Sequence, residues 1–149
     1  MSDISWHIPD PERQAEFYAD VPLKRALAWV IDTLIIVAIC MLIVLATLFV
    51  SALFWPLLLL AVGLAYRTAT LAQRSATLGM RLLSIEFRTM KGERLDMTQA
   101  FLHSLGLTIS FAIPVIQIIS AVLMVTTQRG QGLTDFALGT VALNRRAGA

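Results

Sequence analysis

Charge is scarce in this sequence. Lysine, arginine, aspartate and glutamate make up 15% of its 149 residues, 57% are hydrophobic, and the mean hydropathy is +0.73. A soluble globular domain carries about a quarter charged residues, so the composition excludes that class and indicates a small multi-span membrane protein. Neither sign of charge dominates: the net charge of +2 is too small for a nucleic-acid partner. There is one cysteine, Cys40. It excludes an intrachain disulfide and any paired-thiol chemistry, and reads as a small packing residue. No nucleophile stands near a base, no His/Cys/carboxylate spacing suits a metal, and no Gly-rich loop follows a strand. The expectation is a protein that is not an enzyme and has neither cofactor nor metal. Residues 1–10 lack the basic start and short apolar core of a cleavable signal, which leaves the first span to direct insertion.

What is present begins with a long apolar run. From Lys24 to Val50 the only acidic residue is Asp32, and Thr33 to Val50 carries no charge. About 20 apolar residues suffice to cross a hydrocarbon core of roughly 30 Å as a helix. Residues 23–50 are therefore span 1, with a carboxylate inside it. A charge at that depth costs at least about 2.5 kcal/mol on insertion scales, so Asp32 must be paired or put to use. Residues 1–22, with Pro9, Pro11, Pro22, Trp6, Phe17 and Tyr18, read as an extended interfacial arm. Arg25 and Asp32 share a helix face but lie about 10 Å apart along the axis. Arg25 is placed to reach the surface, and Asp32 needs another partner.

Ser51 to Trp55 reads as an uncharged turn, and residues 56–74 as span 2, opened by Pro56. Helix arithmetic places Arg67 near mid-membrane, at nearly the depth of Asp32. The spacing predicts Arg67 as its buried counter-charge, against the simpler alternative that Arg67 snorkels. Residues 75–96 read as a cytoplasmic turn and strand. Gly79 is the expected point of unusual φ, and Leu83, Ile85 and Phe87 alternate with Ser84, Glu86 and Arg88 as a half-buried strand. Asp96 three residues before Gln99 predicts a capped helix start.

Met97 to Gln128 carries no formal charge and is interrupted by Pro114. Gln99, His103, Gly106 and Ser110 form a polar or small stripe, prolonged by Gln117 and Ser120, which faces other helices or water rather than lipid. His103 reads as bonding a neighbour rather than relaying protons. Residues 129–149 form a Gly-rich tail whose Val141–Asn144 is a second strand. A lone strand exposes both edges, so Leu83–Phe87 is expected to pair with Val141–Leu143. That pairing puts the middle loop and tail on one membrane side, and residues 97–113 and 114–128 become a helical hairpin; one kinked span is the alternative. With both termini cytoplasmic, every Lys and Arg outside the core lies inside. A three-crossing version would export Arg129, Arg145 and Arg146. The expected fold is an all-α membrane protein, residues 1–149 forming one small transmembrane bundle with a two-stranded β element at the cytoplasmic surface.

Arg25 at the start of span 1, Asp32 within it, and Asp135 in Gly132-Leu133-Thr134-Asp135-Phe136-Ala137-Leu138-Gly139-Thr140 follow an Arg-Asp-Asp order. With Thr77-Leu78-Gly79-Met80-Arg81, the chain resembles the RDD family of small bacterial membrane proteins, over residues 21 to 144. Met80 stands where that segment commonly has lysine. The resemblance implies a protein of the bacterial inner membrane, with transport of ions or small ligands suggested. It also adds Asp135 as a partner for Arg25 if the tail folds back.

Two functions follow as expectations. In one, the protein is a cation- or proton-coupled carrier, with Asp32 binding a monovalent cation or proton beside the polar stripe. In the other it is a non-transporting module in the lipid bilayer, a homo-oligomer or the holder of a membrane-protein partner. There the Arg25–Asp135 and Arg67–Asp32 pairs only fix helix register.

Overall fold

The computed structural model describes residues 8–145. Trp6 of the arm and Arg146 of the tail lie outside them. Helix α1, Val21–Ala46, opens with Pro22 in its first turn, where the missing N–H costs nothing. It ends four residues before the expected Val50. The Thr47 hydroxyl bonds back to the Ile43 carbonyl, and Leu48 and Phe49 turn the chain at left-handed φ of 52° and 69°. The expected uncharged turn is a 3-10 helix, Val50–Phe54, leading into α2, Trp55–Arg74.

Two expectations for the next stretch are corrected. The unusual backbone lies at Ser75 and Ser84, with φ of 55° and 58°, and Gly79 is not among the positive-φ residues. Between those serines the chain forms a short helix, α3, Leu78–Leu82, because the Thr77 hydroxyl caps it by accepting from the Met80 N–H at 3.2 Å. Strand β1 consequently starts at Ile85 and runs to Thr89.

Helix α4, Met97–Ala112, begins with the capping box read from Asp96 and Gln99. Pro114 disfavours helical backbone at Ile113, which is extended at φ −120°, ψ 96°. There α4 and α5, Pro114–Thr126, meet at a bend of 116°. Helix α6, Leu133–Leu138, ends at Gly139, whose φ of 66° suits glycine. Strand β2, Thr140–Asn144, then pairs antiparallel with β1, from Ile85 opposite Asn144 to Thr89 opposite Thr140.

The strands are not half-buried. Ile85, Phe87 and Ala142 join Val21, Ala28, Leu71 and Met80 in the main apolar core. On the opposite face Glu86 is also buried, and Val141 and Leu143 pack with Tyr18. The arm is the cover: Tyr18 Oη donates to the Pro9 carbonyl, and Asn144 donates to the carbonyls of Glu16 and Ala19. Its short 3-10 helix, Ala15–Phe17, replaces part of the expected extended chain.

Elsewhere the usual distribution of polarity is inverted. Leu34, Leu42, Leu53, Leu57, Ile118 and Val125 are more than 60% exposed, while Asp32, His103, Ser104, Ser110, Ser120 and Asp135 are buried. An apolar exterior of that extent in helices needs lipid around it. Ala15–Ala46 and Val50–Arg74 are long and apolar enough to cross a membrane.

Candidate functional site

Two buried carboxylates organise the interior. Asp135, fully buried, is carried by α6 into the angle between α1, α4 and the sheet. Its Oδ2 accepts from Arg25 Nη1 at 2.5 Å and from the Gly132 N–H at 2.9 Å. Its Oδ1 lies 2.9 Å from His103 Nε2 and accepts from the Thr140 hydroxyl at 3.1 Å. Burial raises the pKa of this carboxyl, but the Arg25 guanidinium and the His103 contacts outweigh burial and hold it well below the usual carboxylate range. Arg25 also donates to the Gly130 carbonyl and lies 5.1 Å from the centre of the Phe87 ring, which packs against the His103 ring. One arginine from the first helix thus fastens the tail to the bundle.

Asp32 forms the second centre, 2% exposed. Its Oδ1 accepts from Tyr66 Oη at 2.7 Å and from the Gly79 N–H at 2.9 Å, and its Oδ2 accepts from the Thr77 hydroxyl at 2.5 Å. Arg67 is at 4.0 Å from Oδ2, too far for a hydrogen bond. Arg67 therefore contributes charge nearby, while neutral donors take the carboxylate's lone pairs.

Three of those donors were missed by sequence reasoning. Thr77 carried a local signal, as a capping residue before a short helix. Tyr66 carried only its position beside Arg67. Gly79 was singled out for the wrong reason: a Cβ there would sit 2.4 Å from the Ala28 carbonyl oxygen and 3.0 Å from Asp32 Oδ1. Glycine is needed so that the α3 backbone can approach α1 closely enough to donate its N–H.

The polar stripe divides by position. His103, Ser110 and Ser120 are buried, and Ser120 Oγ accepts from the Leu133 N–H at 3.1 Å. Gln99 is used in the α4 cap, and Gln117 lines a partly open cavity of about 570 Å³ bordered mainly by α1, α2, α4 and α5. Asp32, Arg67, Arg25 and His103 border the same cavity, so it joins the two charge centres.

Arg25, Asp32 and Asp135 all lie within the stretch that a family model matches. The model described as the RDD family matches residues 20–139. The chain belongs to the RDD family. The match spans both apolar helices, the Thr77–Gly79 turn and Asp135, and so takes in both carboxylate centres of this RDD protein. No curated protein and no solved structure matches the chain.

Proposed function

We propose that this RDD protein resides in the bacterial inner membrane and takes a small ligand into the cavity between α1, α2, α4 and α5. The paired charges form the frame of that cavity. The observation carrying this reading is the cavity itself: about 570 Å³, within the roughly 300–1,000 Å³ typical of ligand sites, mostly apolar, with a few convergent polar groups. Transport of the ligand would follow if the frame opens to both sides.

The carrier reading centred on Asp32 rests on a buried carboxylate at membrane depth. Its chemistry is less favourable. A monovalent cation needs oxygen acceptors, whereas both Asp32 oxygens face donors and a guanidinium stands 4.0 Å away. A partner protein or second copy is supported only by exposed apolar surface, which lipid also accounts for.

Ala121 lines the cavity, and Ala121→Phe would fill part of it. Mass spectrometry of protein extracted from its own membrane is expected to find a small molecule, about one per chain, on the wild type and little on the variant. Equal amounts on both would overturn the cavity as the site. In liposomes carrying a pH dye, with sodium, lithium or potassium gradients, Asp32-dependent flux would favour the carrier reading instead.

A further inference from the structure

One side chain narrows the chemistry of the ligand, on the reading that the cavity is a ligand site. Arg67 enters the cavity from the middle of α2 with its side chain 12% exposed, and its guanidinium makes no hydrogen bond among the described residues. A guanidinium presents five N–H donors in a planar fork matched to carboxylate or phosphate oxygens. Its nearest counter-charge, Asp32 Oδ2, is 4.0 Å away and already accepts from Thr77.

A second, independent group points to the same need. Ser104 lines the cavity from α4, is 1% exposed, and its Oγ has no hydrogen-bond partner among the described residues. A buried hydroxyl left unbonded is destabilising, because its desolvation is not offset. Two arginines, Arg25 and Arg67, line the cavity. Arg25 is bonded to Asp135, so Arg67 is the one whose N–H donors face the cavity without a hydrogen bond among the described residues.

The rest of the cavity is apolar. Leu107, Ala121, Met124 and Val125 line it, and Trp29 stacks on Phe111 at a ring separation of 4.9 Å. A small free anion would satisfy Arg67 and leave this wall unfilled. A neutral amphiphile would cover the wall and leave the guanidinium donors unfilled. A cation would find the Asp32 oxygens already accepting from Tyr66, Thr77 and Gly79.

We propose that the cavity holds a single-chain anionic amphiphile, its acidic oxygens on Arg67 and Ser104 and its chain along the wall beside Trp29 and Phe111. A carboxylate and a phosphate ester share this head chemistry, and both belong to molecules that enter a cavity from the surrounding bilayer.

Trp29 is a built-in reporter. In a Trp6→Phe, Trp55→Phe background it is the remaining tryptophan, and the protein can be placed in nanodiscs of neutral phosphatidylcholine. The probes are bromododecanoate, bromododecyl phosphate and bromododecanol, each expressed as mole fraction in the bilayer. Saturable quenching of Trp29 by the two anions is expected, with the alcohol about ten-fold weaker, because a charge-assisted hydrogen bond contributes about 1.5–3 kcal/mol. Arg67→Gln should weaken the anions by about ten-fold and leave the alcohol unchanged, while Arg67→Lys keeps most of the anion preference. If Arg67→Gln does not fold, Ser104→Ala supplies the same comparison with a smaller loss, since it removes only an unbonded hydroxyl.

Equal saturable quenching by all three probes, unmoved by the variants, would overturn the anionic head and leave the cavity reading standing. Displacement by inorganic phosphate at equal concentration would overturn the amphiphile in favour of a soluble anion. Absence of saturable quenching by any probe would remove the cavity reading as well.

Discussion

Two glycines test how closely the helices are set by single residues. Gly79 lies against the Ala28 carbonyl, whereas a Cβ on Gly63 would meet the Ile36 side chain at an ordinary 3.8 Å. Gly79→Ala forces α3 away from α1, through overpacking of about 1–3 kcal/mol together with the lost Gly79–Asp32 bond. Gly63→Ala relieves a helix-interior glycine worth up to about 1 kcal/mol. Thermal melting in detergent should fall for the first and hold or rise for the second; the same sign for both would contradict the close approach. Asp135 makes a different prediction. Its folded pKa is depressed, so its stabilisation is complete above the unfolded value, near about pH 4, and is lost as pH falls from there toward the folded value. Wild-type melting should drop below about pH 4, and Asp135→Asn should flatten that part of the profile. At neutral pH the same variant should cost about 3–5 kcal/mol, because it leaves Arg25 without its buried partner. An acid profile identical to wild type would detach Asp135 from the acid sensitivity.

At the scale of elements, the α4 start is the most local feature in the fold. Asp96→Ala removes the acceptor for the Gln99 N–H at 2.8 Å and should lower stability by about 1 kcal/mol, with Asp96→Asn or Asp96→Ser recovering most of the loss. Recovery by neither substitution would show that the cap is idle. This element was legible in the sequence because cap, helix and partner lie within four residues. The spans were legible for a similar reason, since an uncharged run needs no knowledge of its neighbours, and two short strands that cannot stand alone sufficed to expect that they pair. What surrounds Asp32 was hidden. Thr77 and Gly79 are 45 and 47 residues away in sequence, and a hydroxyl or backbone donor leaves no periodic trace. Arg67 was expected as the counter-charge of Asp32, and its guanidinium does stand 4.0 Å from Oδ2, but the shorter contact is made by its neighbour Tyr66, which no charge pattern announces. Glu86 was assigned to a solvated face because one of the two arginines that pair with it, Arg145, is 59 residues away in sequence.

For the molecule as a whole, the remaining step is how this bundle sits in a bilayer. Helices α4 and α5 have 16 and 13 residues, about 24 and 20 Å at 1.5 Å per residue. Each is short of a hydrocarbon core of roughly 30 Å. Joined straight they would exceed it, but at 116° α5 turns back instead of continuing the path of α4. The sheet imposes a matching requirement: β1 follows α2, β2 follows α6, and their pairing holds the middle loop and the tail together. An even number of passages between them satisfies both facts, with α4 and α5 entering and returning as a re-entrant or thinned hairpin. In a Cys40→Ser background, a cysteine at Ser51, between the first two spans, should react with an impermeant thiol reagent in intact cells. A cysteine at Ala147, beyond β2, should react only after the cells are opened. Equal labelling of the two sites in intact cells would require an odd number of passages through α4 and α5. The β1–β2 pairing would then have to form across the membrane, which strands about 4.8 Å apart cannot do.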